Sequence, residues 1–364
     1  MKSIGYFLGF RIGDCVAQIP IIQEIRKKYK VVCFLYNDSD ESVRTSDEVL
    51  DMIADLLGIF SDEVVILRDK FDINFYCNSQ YYEKINEIIE NNNIIGFFNF
   101  RVFSNKNSIT FCKFVQEKFR NKFSIFDDFI EYSYDRFNAN KIKTMEECGY
   151  FQCCLSKAFH NGLIEKEESD EIDIIKKFGG IENLKSKECV ETVLKPDKFV
   201  IAVCPCGSTS DKIIPINVVV KVISGLLQLF HDDIFVAFFI YGETQYEYCE
   251  SIISSIKSEF EYKIFGFDAK LTLIETMMCL QLCNFSLCVD SSCAHMCGIL
   301  GVPNITIYRN DVSFKNCRVS GNYNKESIQL FISQWESPND MNRYILICIK
   351  HITQLIKKFL NLKN

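Results

Sequence analysis

Small hydroxyl side chains beside an aspartate and a histidine occupy Asp290-Ser291-Ser292-Cys293-Ala294-His295, directly after the apolar run Phe285 to Val289. That order puts them where a strand ends and a helix begins. The first backbone N–H groups of a helix lack an internal partner and the helix dipole is positive there, so the segment suits a phosphate. The plain alternative is an Asp or Ser N-cap with a structural histidine. A second segment, Cys204 to Pro215, also lies between an apolar run and a helix. Gly207, Ser208 and Thr209 expose donors, and Lys212 adds a cation able to neutralise a diphosphate. Its spacing is not that of a Walker loop, and a solvated turn is the bland reading. Glu243 and Glu247, after a third strand, are placed to accept from ribose hydroxyls or simply to favour the dipole of a helix start. Near the amino terminus, Gly13-Asp14 follows the first apolar run, where Asp14 serves either as general base on an acceptor hydroxyl or as a helix cap.

The elements that must position these residues alternate. Ile4 to Phe10 reads as a strand, Val16 to Lys30 as a helix and Val31 to Tyr36 as a second strand, the rhythm of a right-handed parallel crossover. Further strands are expected at Val64 to Leu67 and Ile94 to Phe98. Leu194-Lys195-Pro196-Asp197-Lys198 marks a boundary, which gives domains 1–195 and 196–364. The second half restarts with Phe199 to Val203. A helix from about Pro215 to His231, a strand Ile234 to Tyr241, a helix from about Gln245 to Glu259 and a helix opening near Leu271 follow. After the helix that begins at Asp290 comes the strand Asn304 to Tyr308. Two Rossmann-like halves facing a cleft account for this α/β pattern. The stretch Met341 to Leu362 is a basic amphipathic helix, which either packs on the body, the commoner fate, or lies on a membrane surface.

Composition restricts the partners. The 364 residues carry a net charge of -7 and 32 Phe, so the chain can build real cores and lacks the basic surplus of a general nucleic-acid binder. Eighteen Cys are scattered through apolar runs, which suits free thiols in a reducing cytoplasm. They form no paired Cys-x2-Cys knuckles, and with four His no zinc site is expected. Neither a signal peptide nor a membrane span is read in the sequence. The cluster Lys113, Lys118, Arg120 and Lys122 is either a solvated helix face or a contact for an anionic acceptor.

In their order, these segments resemble glycosyltransferase family 9, the bacterial heptosyltransferases of the lipopolysaccharide core. The resemblance rests on Gly13-Asp14 with Pro20 and Arg26-Lys27-Lys28-Tyr29, and on Pro205, Gly207, Lys212 and Pro215. It also rests on Leu271-Thr272-Leu273-Ile274-Glu275 and on Asp290-Ser291 with His295, Gly301 and Pro303. It covers the first thirty residues and most of the carboxyl half. The resemblance implies a GT-B architecture and inverting, metal-independent transfer from a nucleotide-diphosphate sugar, with no cofactor. The donor implied is ADP-heptose. The acceptor is a hydroxyl on lipopolysaccharide core, another glycan or glycolipid, or a protein. Contact with the cytoplasmic face of the inner membrane would fit such an acceptor. A noncatalytic nucleotide-sugar binder of the same fold is the competing reading. Carried over by position, Asp14 matches the catalytic base. Ser208 and Lys212 match groups near the donor phosphates and sugar, and Leu271 the backbone that meets the base. Glu243 or Glu247 matches the ribose acid, and Asp290, Ser291, Ser292 and His295 the sugar and phosphate contacts. Where the family usually has glycine, this chain has Ser292. If the backbone there needs positive φ or a very close phosphate approach, a side chain costs about 1 kcal/mol or narrows the donor pocket.

Overall fold

The computed structural model describes residues 1–8, 12–36, 46–67, 79–99, 125–126, 155–156, 158–159, 162–166, 172–183, 187–207, 209, 212–240, 243–256, 259–266, 271–308, 326–332 and 338–361. The chain divides into two compact units, Met1–Asp170 and Glu171–Asn364.

In the first unit, β1 (Ser3–Leu8), β2 (Lys30–Tyr36), β3 (Glu63–Leu67), β4 (Ile94–Asn99) and β5 (Ile125–Phe126) form one parallel sheet in the order β3-β2-β1-β4-β5. Every residue of β1 is buried, as a central strand covered on both faces requires. The helix expected from Val16 to Lys30 is broken into α1 (Ile12–Val16) and α2 (Ile19–Arg26). Pro20 sits in the first turn of α2, where its missing N–H costs nothing. Inside a continuous helix the same ring would collide with the preceding turn. Helices α3 (Asp47–Phe60) and α4 (Ser79–Asn91) supply the next crossovers.

The second unit begins with α5 (Ile174–Phe178) and α6 (Lys187–Val193). Both precede the expected boundary at 195/196, yet both pack on α9 (Leu273–Gln281). Gln281 ties the contact, its amide donating to Asp173 Oδ1 at 2.9 Å and its oxygen accepting from the Ile174 N–H at 2.9 Å. The proline-bearing stretch is therefore a connection within this unit. The six-stranded sheet comprises β6 (Phe199–Cys204), β7 (Ile234–Ile240), β8 (Tyr262–Gly266), β9 (Phe285–Val289), β10 (Asn304–Tyr308) and β11 (Ile328–Phe331). All pairs are parallel, in the order β11-β10-β9-β6-β7-β8. Counted from its own first strand this is the doubly wound order 3-2-1-4-5-6, whose topological switch point lies between β6 and β9.

Helices α7 (Ile216–Phe230), α8 (Glu243–Ser255), α10 (Ser292–Ile299) and α11 (Pro338–Asn361) complete the unit. Val218, Val222, Ile223 and Leu226 of α7 share one core with Tyr344, Ile345, Cys348 and Ile352 of α11. Each such side chain contributes about 1.5–3 kcal/mol of hydrophobic burial. The terminal helix thus packs on its own unit, the commoner of the two fates expected for it.

Candidate active site

A parallel doubly wound sheet binds ligands beyond the carboxyl ends of its strands at the switch point. In the second unit that place is bounded by the loop after β6 and the turn after β9, which carry the two segments singled out by their chemistry.

The loop after β6 is a pinned hairpin. Cys206 and Ile213 form an antiparallel bridge, and Ile214 N donates to Pro205 O at 2.9 Å. Gly207 N donates to Lys212 O at 2.6 Å, and Lys212 N to Thr209 O at 2.9 Å. Tyr248 of α8 braces the loop from outside, its hydroxyl donating to the Ile214 carbonyl. Gly207 is required by space: a Cβ there would stand 2.7 Å from Lys212 Cβ and 3.3 Å from its carbonyl oxygen. The chain can fold back on Lys212 only without a side chain at 207.

The hairpin aims Lys212 at the turn after β9. Lys212 Nζ lies 2.6 Å from Asp290 Oδ2, with the two side chains 29% and 10% exposed. Asp290 is itself held, its N–H donating to Ile307 O of β10 at 3.0 Å. Two residues 78 positions apart therefore meet across the switch point. The sequence had assigned both to one site without indicating that they pair.

Ser291 is the N-cap of α10, in an extended conformation (φ −147°, ψ 173°), and its side chain does not cap. Its buried hydroxyl makes no hydrogen bond to the protein. Ser291 O instead accepts from Ala294 N at 3.1 Å and His295 N at 3.4 Å, starting the helix. Ser292 and His295, one turn apart, are both half-buried. Ser292 has an ordinary helical backbone. Among the described residues Asn93 is the non-glycine with positive φ, so the strain anticipated for a side chain at 292 does not arise.

Beneath this turn lies a packed layer of thiols. Cys204 ends β6 opposite Cys288 of β9 and hydrogen-bonds with Cys288 and Cys293, while Cys297 joins through Cys288. Burial pushes the Cys204 and Cys297 thiols well above the usual range and keeps them protonated. Among the described residues no group of three or more His, Cys, Asp or Glu is arranged to hold a metal ion.

The remaining expected residues fall as follows. Leu271 is buried and precedes Thr272, whose hydroxyl accepts from Glu275 N at 3.2 Å while Glu275 Oε2 accepts from Thr272 N at 2.8 Å. This capping box fixes the start of α9 and gives the buried Glu275 a structural role, legible in the Thr-x-x-Glu spacing. Glu243 is the first residue of α8, and Glu247 is exposed on its next turn. Asp14 belongs to the first unit, within α1 just after β1. It stands in the first turn rather than capping a helix that starts at Cys15, and β1 adjoins that unit's own switch point between β1 and β4. Ser208, the side chain of Glu243 and the cluster Lys113, Lys118, Arg120 and Lys122 lie outside the described residues.

The sequence model described as Glycosyltransferase family 9 (heptosyltransferase) matches residues 169–341. No curated protein matches the chain in sequence. Among solved structures, the glycosyl transferase family 9 from Veillonella parvula DSM 2008 superposes with a TM-score of 0.64 at 14% identity, covering 98% of each chain. The ADP-heptose lps heptosyltransferase II of E. coli gives 0.60 at 11% identity, covering 98% of this chain and 99% of that one. A putative UDP-N-acetylglucosamine 2-epimerase from Listeria monocytogenes gives 0.53 at 11% identity, covering 99% and 91%. These likenesses show the GT-B fold. The structures that share it are named for both transfer and epimerisation, and the family match to residues 169–341 favours transfer.

Proposed function

We propose that this chain, whose residues 169–341 match the glycosyltransferase family 9 model, moves heptose from ADP-heptose to a hydroxyl of a bacterial glycan or glycolipid, with inversion and without a metal ion. The observation that carries the donor reading is the Lys212–Asp290 pair at the switch point, beside the unbonded Ser291 hydroxyl and the start of α10.

Charge sets the order of events. As the anomeric C–O bond breaks, the departing nucleoside diphosphate gains negative charge on its terminal phosphate. Lys212 Nζ has three donors; one meets Asp290, and the others are available to phosphate oxygens. The N–H groups opening α10 and the Ser291 hydroxyl add neutral donors in the same place, so a cation and a helix terminus together stabilise the leaving group. In this reading Asp290 accepts from hydroxyls of the transferred sugar, with Ser292 and His295 on the same turn contributing to the sugar and phosphate contacts. Ser208, four positions before Lys212 in the sequence, adds a hydroxyl donor for the phosphates or sugar. The backbone at Leu271 meets the base, and Glu243 or Glu247 accepts from the ribose. Asp14 removes the acceptor proton as the acceptor oxygen attacks the face opposite the diphosphate, which inverts the anomeric centre.

The test is a donor screen with the full chain. ADP-heptose, UDP-sugars and GDP-sugars are offered with lipopolysaccharide-core, glycan and protein acceptors. Nucleotide release and acceptor mass are followed, and the new linkage is assigned by NMR. Heptose transfer with inversion is expected. Binding without turnover, or epimerisation of a UDP-sugar, would sink the proposal.

A further inference from the structure

The hairpin that carries Lys212 is shaped from within but held from outside. Its backbone hydrogen bonds, Ile214 N to Pro205 O, Gly207 N to Lys212 O and Lys212 N to Thr209 O, all close inside it, so they set its form rather than its seating on the sheet. Among the described residues, two side-chain contacts reach it from elsewhere: Lys212 with Asp290, and the Tyr248 hydroxyl donating to the Ile214 carbonyl. The first spends the ammonium that an incoming anion would share. The second meets the backbone two residues beyond Lys212 on the same leg and leaves the ammonium out of it. Tyr248 stands on firm ground, because Cys249 and Ile252 of α8 are buried in the same core that takes the Ile214 side chain. Its ring is half-buried, with Cys206 of the incoming leg and Cys249 as neighbours. Burial above all, and then those two thiols, push the phenol well above its usual range, so the hydroxyl stays a donor. Ile214 is wholly buried, so its carbonyl has no solvent to turn to when the phenol is removed, and the leg must shift to satisfy it.

We infer that Tyr248 is a positioning residue for the transfer: by holding the Ile214 carbonyl it seats the hairpin so that Lys212 Nζ reaches the diphosphate, whether or not Lys212 is paired with Asp290. It acts through Lys212 and touches no substrate. Glu247, one residue earlier, is exposed on the same helix, so the helix proposed to meet the ribose also seats the loop proposed to meet the phosphates. The inference rests on the proposed reading of Lys212 as the cation for the donor diphosphate.

Tyr248→Phe in the full chain tests it, since the change removes the hydroxyl and keeps the ring. ADP should bind about 3- to 10-fold more weakly, the worth of one hydrogen bond passed on to the ammonium. The salt dependence of that affinity should flatten, because the cation is less well placed on the phosphates. Adenosine, which has no phosphate, should bind the variant as it binds the parent. In K212A/Y248F the second change should add nothing to the first, as expected when both act through one ammonium. Tyr246→Phe, which strips a hydroxyl from an exposed position of the same helix, should leave ADP affinity unchanged. Titration calorimetry reads ADP, ligand-observed NMR reads adenosine, and thermal melts show each variant folded. If Tyr248→Phe binds ADP like the parent while Lys212→Ala is weakened, the inference is overturned and the donor reading stands. An equal loss for ADP and adenosine, or full additivity in the double variant, would also overturn it, since either marks Tyr248 as a support of the unit at large. Unchanged ADP binding by Lys212→Ala would overturn the donor reading and the inference with it.

Discussion

If Lys212 binds the donor diphosphate as proposed, Asp290→Asn should tighten the binding of ADP while impairing transfer, because the carboxylate both restrains Lys212 and repels the phosphate. In the free protein Asp290 Oδ2 stands 2.6 Å from Lys212 Nζ. A phosphate oxygen reaching the same ammonium at about 2.8 Å would lie about 5 Å from that carboxylate. At an effective dielectric of about 20, two like charges at that distance repel by about 3 kcal/mol. Lys212 is 29% exposed, so solvent and salt reduce this to about 1–2 kcal/mol. Removing the charge while keeping the shape should therefore strengthen ADP binding by about 5- to 30-fold. Lys212→Ala should act in the opposite direction, losing a charge-assisted hydrogen bond worth about 1.5–3 kcal/mol and weakening ADP by about 10- to 150-fold. Titration calorimetry with ADP at low and high salt reads both, and thermal melts confirm folding. The intact donor adds the sugar contacts, so Asp290→Asn should show slower transfer despite tighter product binding. If it weakens ADP as much as Lys212→Ala does, the carboxylate and the phosphate do not compete for one ammonium, and the proposed placement of the diphosphate is wrong.

Asp14→Asn should leave the calorimetric affinity for ADP unchanged and cut turnover by roughly 100- to 10,000-fold, the usual worth of a positioned base; near-normal turnover would remove Asp14 from that role. Gly207→Ala should cost about 1–3 kcal/mol in denaturant unfolding and weaken ADP binding, since the new methyl would stand 2.7 Å from Lys212 Cβ and push the hairpin open. Stability should fall as pH rises above about 9. Burial holds the Cys33 thiol, ordinarily 9.0, up to about 12, so the unfolded chain loses that proton first. The contribution is complete below the unfolded value and is lost as pH rises through the folded one, which melts between neutral and strongly alkaline pH would follow.

Much of the fold is legible because it is made of parallel strands buried on both faces. Such strands read as largely apolar runs: Phe199–Cys204 and Ile234–Ile240 are unbroken, while Phe285–Val289 and Asn304–Tyr308 are equally buried and admit only Ser286, Asn304 and Thr306. Tyr262–Gly266 and Ile328–Phe331 were not found, and both are edge strands. The first carries Lys263, the second is only half-buried, and neither gives a clean run or alternation. The broken first helix was missed because Val16 to Lys30 keeps helical spacing on both sides of Pro20, where only the backbone changes course. The site was legible as chemistry but not as geometry. Hydroxyls after a strand and a lysine in a glycine loop are local signals, whereas the pairing of Lys212 with Asp290 depends on strand order.

Strand order is also what makes individually weak signals informative. A serine at a helix start is most often a cap, and a lysine in a loop is most often solvated. In a sheet ordered 3-2-1-4-5-6, however, the loop after the first strand and the turn after the fourth are forced to be neighbours, and no other pair of strand ends is parted by helices crossing in opposite directions. The Ser291 side chain forgoes the cap that its position offers, and the Asp290 side chain turns to Lys212 instead of the helix behind it. Both residues decline the structural role their types would ordinarily fill. A turn that leaves a helix start uncapped and spends its carboxylate on a cation keeps donors free for an anion from outside, and this is why the proposed reading puts a diphosphate, rather than a cap, at the lysine, the hydroxyl and the helix terminus.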